Sequence, residues 1–273
     1  MFDVLTEMLS YTFIIRAIIV GSLVALCSSL LGVSLVLKRY SMIGDGLSHV
    51  AFGALTVAMA LNLTPLYVAI PVVVISAFFL LKINENSKLK SDSAIALIST
   101  VALAIGVIAI SLAKGVNTDV FSYMFGSILA MSTSDVYISV VLSIIVVILV
   151  IVFYNKIFAV TFDEGFAKAT GINANVYNMI IALLTAITIV VGMRIMGTML
   201  ISSLIIFPAL TAMRVCKTFK GVMITSAFVS VVCLVLGIVI SYIYAIPTGA
   251  SIVIVNTIVF LIFWSVGRIL NKI

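Results

Sequence analysis

Residues 38–49 read KRYSMIGDGLSH. The stretch lies between two long apolar runs and contains the only histidine of the chain. Lys38 and Arg39 end the first run. Asp45 stands inside the second, an otherwise uncharged apolar segment. Asp45 and His49 are one helical turn apart, so on a helix both project from one face. A charged side chain at bilayer depth costs roughly 2.5–3.5 kcal/mol on insertion scales, and such groups face a cavity or a partner. The apolar frame reads as a membrane scaffold, and the pair reads as its chemistry.

The composition supports that frame. Of 273 residues, 64% are hydrophobic and 9% charged, whereas a soluble domain is about 25% charged. There is too little polar surface to cover a water-soluble globule of this size. The apolar runs last about twenty residues, the length that crosses a bilayer as helix. Porin-type barrels are excluded, because their strands alternate apolar and polar over about ten residues. The expected fold is all-α and polytopic: about nine transmembrane helices plus a short outer half-helix, in a single transmembrane domain over 1–273.

In order, spans are expected at 13–37, 43–61, 66–81, 93–113, 136–154, 177–193, 198–213, 221–244 and 250–266. Residues 1–10 suit a short interfacial helix, and the start of the chain carries no secretory-leader pattern and reads as mature sequence. Gly21, Ala25 and Ser29 form a stripe of small residues on which another helix can close. Thr64 and Pro65 suit a helix start. Pro71 suits a kink, and Asp135 a cap. Residues 120–131 are too short to span and suit a re-entrant element.

The net charge is +6, and its distribution speaks to orientation rather than to nucleic acid. Only Arg16, Lys114 and Arg194 fall on one side of this arrangement. The other twelve of the fifteen Lys and Arg fall in the alternate loops 38–42, 82–92, 155–176, 214–220 and 267–273. The positive-inside rule makes the second set cytoplasmic, with the N-terminus outside and the C-terminus inside. If 120–131 crossed, the later basic loops would fall outside.

Asp45 and His49 offer a carboxylate oxygen and an imidazole nitrogen, a set suited to zinc, manganese or iron. Two ligands hold an ion loosely, and a second copy of the chain could complete four-coordination. A structural hydrogen-bonded pair is the plainer alternative. No phosphate-binding GxxxxGK[ST] occurs, and the lone histidine has no nucleophile and base beside it. ATP hydrolysis and catalysis are therefore not expected of this chain. Residues 161–171, TFDEGFAKATG, suit a short cytoplasmic helix. Asp163 can cap it, Glu164 favours its first turn and Gly171 can end it. Phe162, Phe166 and Ala169 or Thr170 would present a face to a partner. Cys27, Cys216 and Cys233 form no CxxC pair and read as free, mostly buried thiols. Met193, Met196 and Met199 read as packing rather than a copper path. Gly126, Ser127 and Pro208 mark points of irregular backbone.

Several segments together resemble the membrane permease subunit of ABC-type zinc/manganese/iron importers. They are LGVSLVLKRYSMIGDGLSHVAFG (31–53), FGSILAMSTSD (125–135), FDEGFAKATGI (162–172), GTMLISSLIIFPALTA (197–212) and IPTGASIVIVN (246–256). The GDxLSH core of the first is specific, and the others are supportive as a set. The resemblance implies a type II-like importer permease in a prokaryotic cell membrane. It implies a homodimer served by a cytoplasmic ABC ATPase dimer and an extracytoplasmic metal-binding protein. It implies no permanently bound cofactor, with the metal ion as cargo. Asp45 and His49 would be pathway ligands. Phe162, Asp163, Glu164, Phe166, Ala167 and Gly171 would form the ATPase-coupling helix. Two departures stand out: Ala245, where the family often has an acidic residue before the outer-turn proline, and Gly165. Two alternatives remain at this point, an importer of metal chelates or corrinoids and an ion-coupled secondary transporter or channel.

Overall fold

The computed structural model describes residues 7–8, 10–86, 91–113 and 133–270. The expected half-helix at 120–131, with Gly126 and Ser127, and most of the expected interfacial helix at 1–10 lie outside these. The described elements are all helical: α1 (Thr12–Leu37), α2 (Ser41–Ala60), α3 (Pro65–Asn86), α4 (Ser91–Leu112), α5 (Thr133–Val152), α6 (Tyr154–Phe162), α7 (Glu164–Ala169), α8 (Ala174–Met196), α9 (Thr198–Ala212), α10 (Phe219–Tyr244) and α11 (Thr248–Leu270). Among the described residues, eight helices are long and apolar enough to cross a membrane. α9 is shorter. Its fifteen residues rise about 22 Å, less than the ~30 Å hydrocarbon core.

Two corrections to the sequence reading concern helix starts. α5 begins at Thr133, so Asp135 lies within its first turn, buried, instead of capping it. The 155–176 connection holds two helices, α6 and α7, divided at Asp163. α3 and α9 run through Pro71 and Pro208 without interruption.

α1 is the central post. Its Gly21, Ala25 and Ser29 receive α10 as the spacing predicts. Ser230 Oγ donates to Ala25 O at 2.8 Å and Ser226 Oγ to Ser29 O at 3.4 Å. Interhelical bonds of this kind average about 0.6 kcal/mol in membranes, so close packing of small residues contributes most of the hold. On another face, Gly32 lies against α9 so closely that a Cβ there would sit 2.0 Å from Ile205 O. α4 and α5 show much of their apolar surface outward, as helices facing lipid do.

Ring and polar contacts show which helix ends gather. Lys38 at the end of α1 bonds Glu164 and Asn178. Phe219 stacks with Tyr154, Phe158 and Phe162. Arg214 lies against Gly267. These positions belong to the basic loops, so one end of the bundle collects them. Tyr11 meets Tyr242 at the other end.

The α8–α9 connection does not reach that other end. Gly21, beside Met196, is nine residues into α1, about 14 Å below its start. Gly197 alone separates the two helices, at φ 82° and ψ 166°, a conformation open essentially to glycine. Non-helical backbone at membrane depth survives only where protein or a cavity shields it. Here Met193, Met196 and Thr198 are all buried, and Gly197 N–H still donates to Met193 O at 2.8 Å.

Candidate functional site

The site grows from the first turns of α2. Glycine flanks Asp45 on both sides. A Cβ on Gly44 would stand 3.0 Å from Ile205 Cδ1 of α9, and one on Gly46 would stand 2.5 Å from Ile95 Cγ2 of α4. The two glycines let α9 and α4 close on α2 from either side, and Asp45 projects between them. Asp45 lies about 6 Å, and His49 about 12 Å, along the axis from the start of the helix at Ser41. Both are therefore inside the span, toward its basic end. The helix runs unbroken from Ser41.

Met42, Asp45 and His49 share the accessible face of α2. The Asp45 side chain is 44% exposed and that of His49 25%. One carboxylate oxygen of Asp45 is engaged: Ser202 Oγ of α9 donates to Oδ1 at 3.1 Å. The other, Oδ2, stands 3.8 Å from His49 Nε2. That separation exceeds a hydrogen bond of 2.7–3.2 Å. It is within reach of one ion bound at about 2.0–2.2 Å to each atom. His49 Nδ1 is buried and has no hydrogen-bond partner among the described residues. Among them, too, no cluster of three or more His, Cys, Asp or Glu could hold a metal. Among the described residues the pair thus presents two donor atoms, one carboxylate oxygen and one imidazole nitrogen.

A model of the ABC 3 transport family matches residues 10–267, nearly the whole chain. The chain belongs to the ABC 3 transport family. It is 28% identical over 254 residues to the manganese transport system membrane protein MntC of Halalkalibacterium halodurans, covering 93% of this chain and 87% of that one. It is 29% identical over 247 residues to the high-affinity zinc uptake system membrane protein ZnuB of Haemophilus influenzae, covering 90% and 94%. Among solved structures, PsaBC from Streptococcus pneumoniae in complex with Fab is similar with TM-score 0.86 at 30% identity, covering 96% of this chain and 94% of that one.

The second candidate region of this ABC 3 family permease is α7, at the basic end. Asp163 caps it, accepting from Phe166 N at 2.9 Å. Phe162, the last residue of α6, and Phe166 are 60% and 62% exposed, with Phe162 also resting against Phe158 and Phe219. Ala167 is fully buried, packed with Val160 and Ala174, so it holds the helix to the bundle. Gly171 follows at φ 81°. Glu164 turns inward to Lys38. Burial alone would raise the Glu164 carboxyl. Hydrogen bonds from Lys38 and Asn178, with the charges of Lys38 and Lys168, outweigh it and hold the carboxyl below its ordinary range.

Ser202, Lys38 and Asn178 were missed as site residues by sequence reasoning. Ser202 is 157 positions from Asp45, and no spacing rule connects them. Lys38 reads as a span terminator. Met193 and Met196 are core, as expected, whereas Met199 is exposed. Cys27 and Cys233 are buried and free, and Cys216 is half-buried.

Proposed function

We propose that this chain is the membrane subunit of an ATP-driven importer of divalent metal ions of the zinc, manganese and iron class. The observation that carries this reading is the Asp45–His49 pair, with an oxygen and a nitrogen 3.8 Å apart on an accessible face inside a span. The relatives' roles in manganese transport and zinc uptake support the cargo class.

The same pair argues for a second copy. An ionisable face open to hydrocarbon is costly. A two-fold partner presenting the same face would cover it. It would also bring a second aspartate and histidine, completing the four donors a zinc-like ion takes. Ser202 fixes the Asp45 carboxylate so that Oδ2 remains free for the ion. ATPase subunits would dock on the aromatic face of Phe162 and Phe166, with α7 as the coupling element. A metal-binding protein would deliver cargo at the opposite end. The basic end is then cytoplasmic, with the N-terminus outside and the C-terminus inside a prokaryotic cell membrane.

Metal uptake into vesicles reconstituted with the ATPase tests the assignment. Asp45→Ala and His49→Ala are each expected to lower uptake at least tenfold while the subunits still co-purify. Undiminished uptake by both variants would sink the ligand assignment.

A further inference from the structure

Three side chains distant in sequence close on one another at the basic end. Lys38 Nζ lies 2.7 Å from Glu164 Oε1 and also donates to Asn178 Oδ1. Asn178 Nδ2 donates to the same Glu164 oxygen at 2.9 Å. The Lys38 side chain is only 7% exposed, and Asn178 is buried. The Glu164 side chain is 39% exposed, so the pair is buried at its lysine end only, where an ammonium largely stripped of water depends on both of its partners. It ties α7 to the membrane-embedded bundle.

On its other side, Lys38 is joined stiffly to α2. Arg39 N donates to Val36 O at 3.1 Å and Tyr40 N to Leu35 O at 2.8 Å. This is the paired reverse bonding of a Schellman closure, here with a non-glycine residue, Arg39, at φ 61°. The Lys38 ammonium also sits 5.9 Å from the Tyr40 ring centroid. Ile43 N then donates to Tyr40 O at 3.0 Å as α2 begins. No flexible linker intervenes between the lysine and the turn that carries Asp45.

We propose that Lys38 is a positioning residue of the transport cycle: its ion pair with Glu164 carries movement of α7 to the first turns of α2, and so to Asp45 and His49. The inference rests on the reading of α7 as the ATPase-docking helix. It adds the mechanical route from that helix to the ion contact, through one buried ammonium.

Two measurements on the reconstituted complex test it. The first is amide hydrogen exchange across residues 41–49 of the whole protein, with and without Glu164→Gln. That change lies outside α2, yet it is expected to speed exchange there at least threefold while exchange in α10 stays constant. The second is uptake of manganese or zinc per ATP hydrolysed. Lys38→Met is expected to lower the ratio at least tenfold. Lys38→Arg should restore much of it, and so should the swap of Lys38→Glu with Glu164→Lys. Unchanged exchange in 41–49 overturns the relay whatever the uptake. So does an equal loss in Lys38→Met and Lys38→Arg, which would show packing alone at work. If the unmodified complex moves no metal on ATP, the proposed function fails, and the exchange measurement still decides the link between α7 and α2.

Discussion

The two oxygens of Asp45 do different work. Oδ1 accepts from Ser202, and Oδ2 stays free toward His49. Glu164 shows the opposite use of a carboxylate, with one oxygen drawing donors from both Lys38 and Asn178. Its carboxyl is held below the ordinary value, so its contribution to stability is present above the unfolded value near 4.3. That contribution is lost as pH falls through the lower folded value. Thermal unfolding of the purified protein and of Glu164→Gln should therefore differ by a constant amount from pH 7 to about pH 5. The difference should shrink only on further acidification. A gap that closes between pH 7 and 6 would mean that another group controls it.

At the scale of elements, the break between α8 and α9 places Ser202 opposite Asp45. A continuous helix through Gly197 would carry the chain toward the far end of the bundle. The turn instead brings α9 back alongside α2, with Ser202 one turn past its start. Gly197 sits where only glycine is comfortable, so Gly197→Ala is expected to cost about 1–3 kcal/mol. The loss would appear as a lower unfolding midpoint in detergent. Gly165→Ala is the matched control. Its Cβ would meet only Asp163 Oδ1, at 3.2 Å, the exposed oxygen that caps α7, and its midpoint should fall by less than that of Gly197→Ala. Equal shifts in the two variants would contradict the strain argument.

At the scale of the molecule, the charge asymmetry has a direct readout in a native thiol. Cys216 lies in the basic connection between α9 and α10, half-buried, with Sγ 3.2 Å from Thr225 Oγ1. Cys27 and Cys233 are buried within helices. A membrane-impermeant maleimide should label Cys216 in inverted vesicles stripped of peripheral subunits. It should leave the protein unlabelled in intact cells. The reverse pattern would invert the proposed orientation.

Sequence alone determined what depends on chain-local quantities. Hydrophobic run length is set by transfer into lipid, residue by residue, so the eight long apolar helices were legible, and 198–213 stood out as a run without showing that its helix is short. The one-turn spacing of Asp45 and His49 follows from helix geometry. The Asp163 cap of α7 is likewise a contact across three positions. Helix starts were less legible, because polar residues such as Thr133 and Ser134 can end a connection or open a helix equally well. Only the tertiary structure decided that Ser202 meets Asp45, that Lys38 is a buried clamp, and that α9 turns back at depth. Those contacts join residues more than a hundred positions apart, and close packing at glycines such as Gly32 and Gly44 selects them. Nothing in local spacing encodes which distant helix fills a notch.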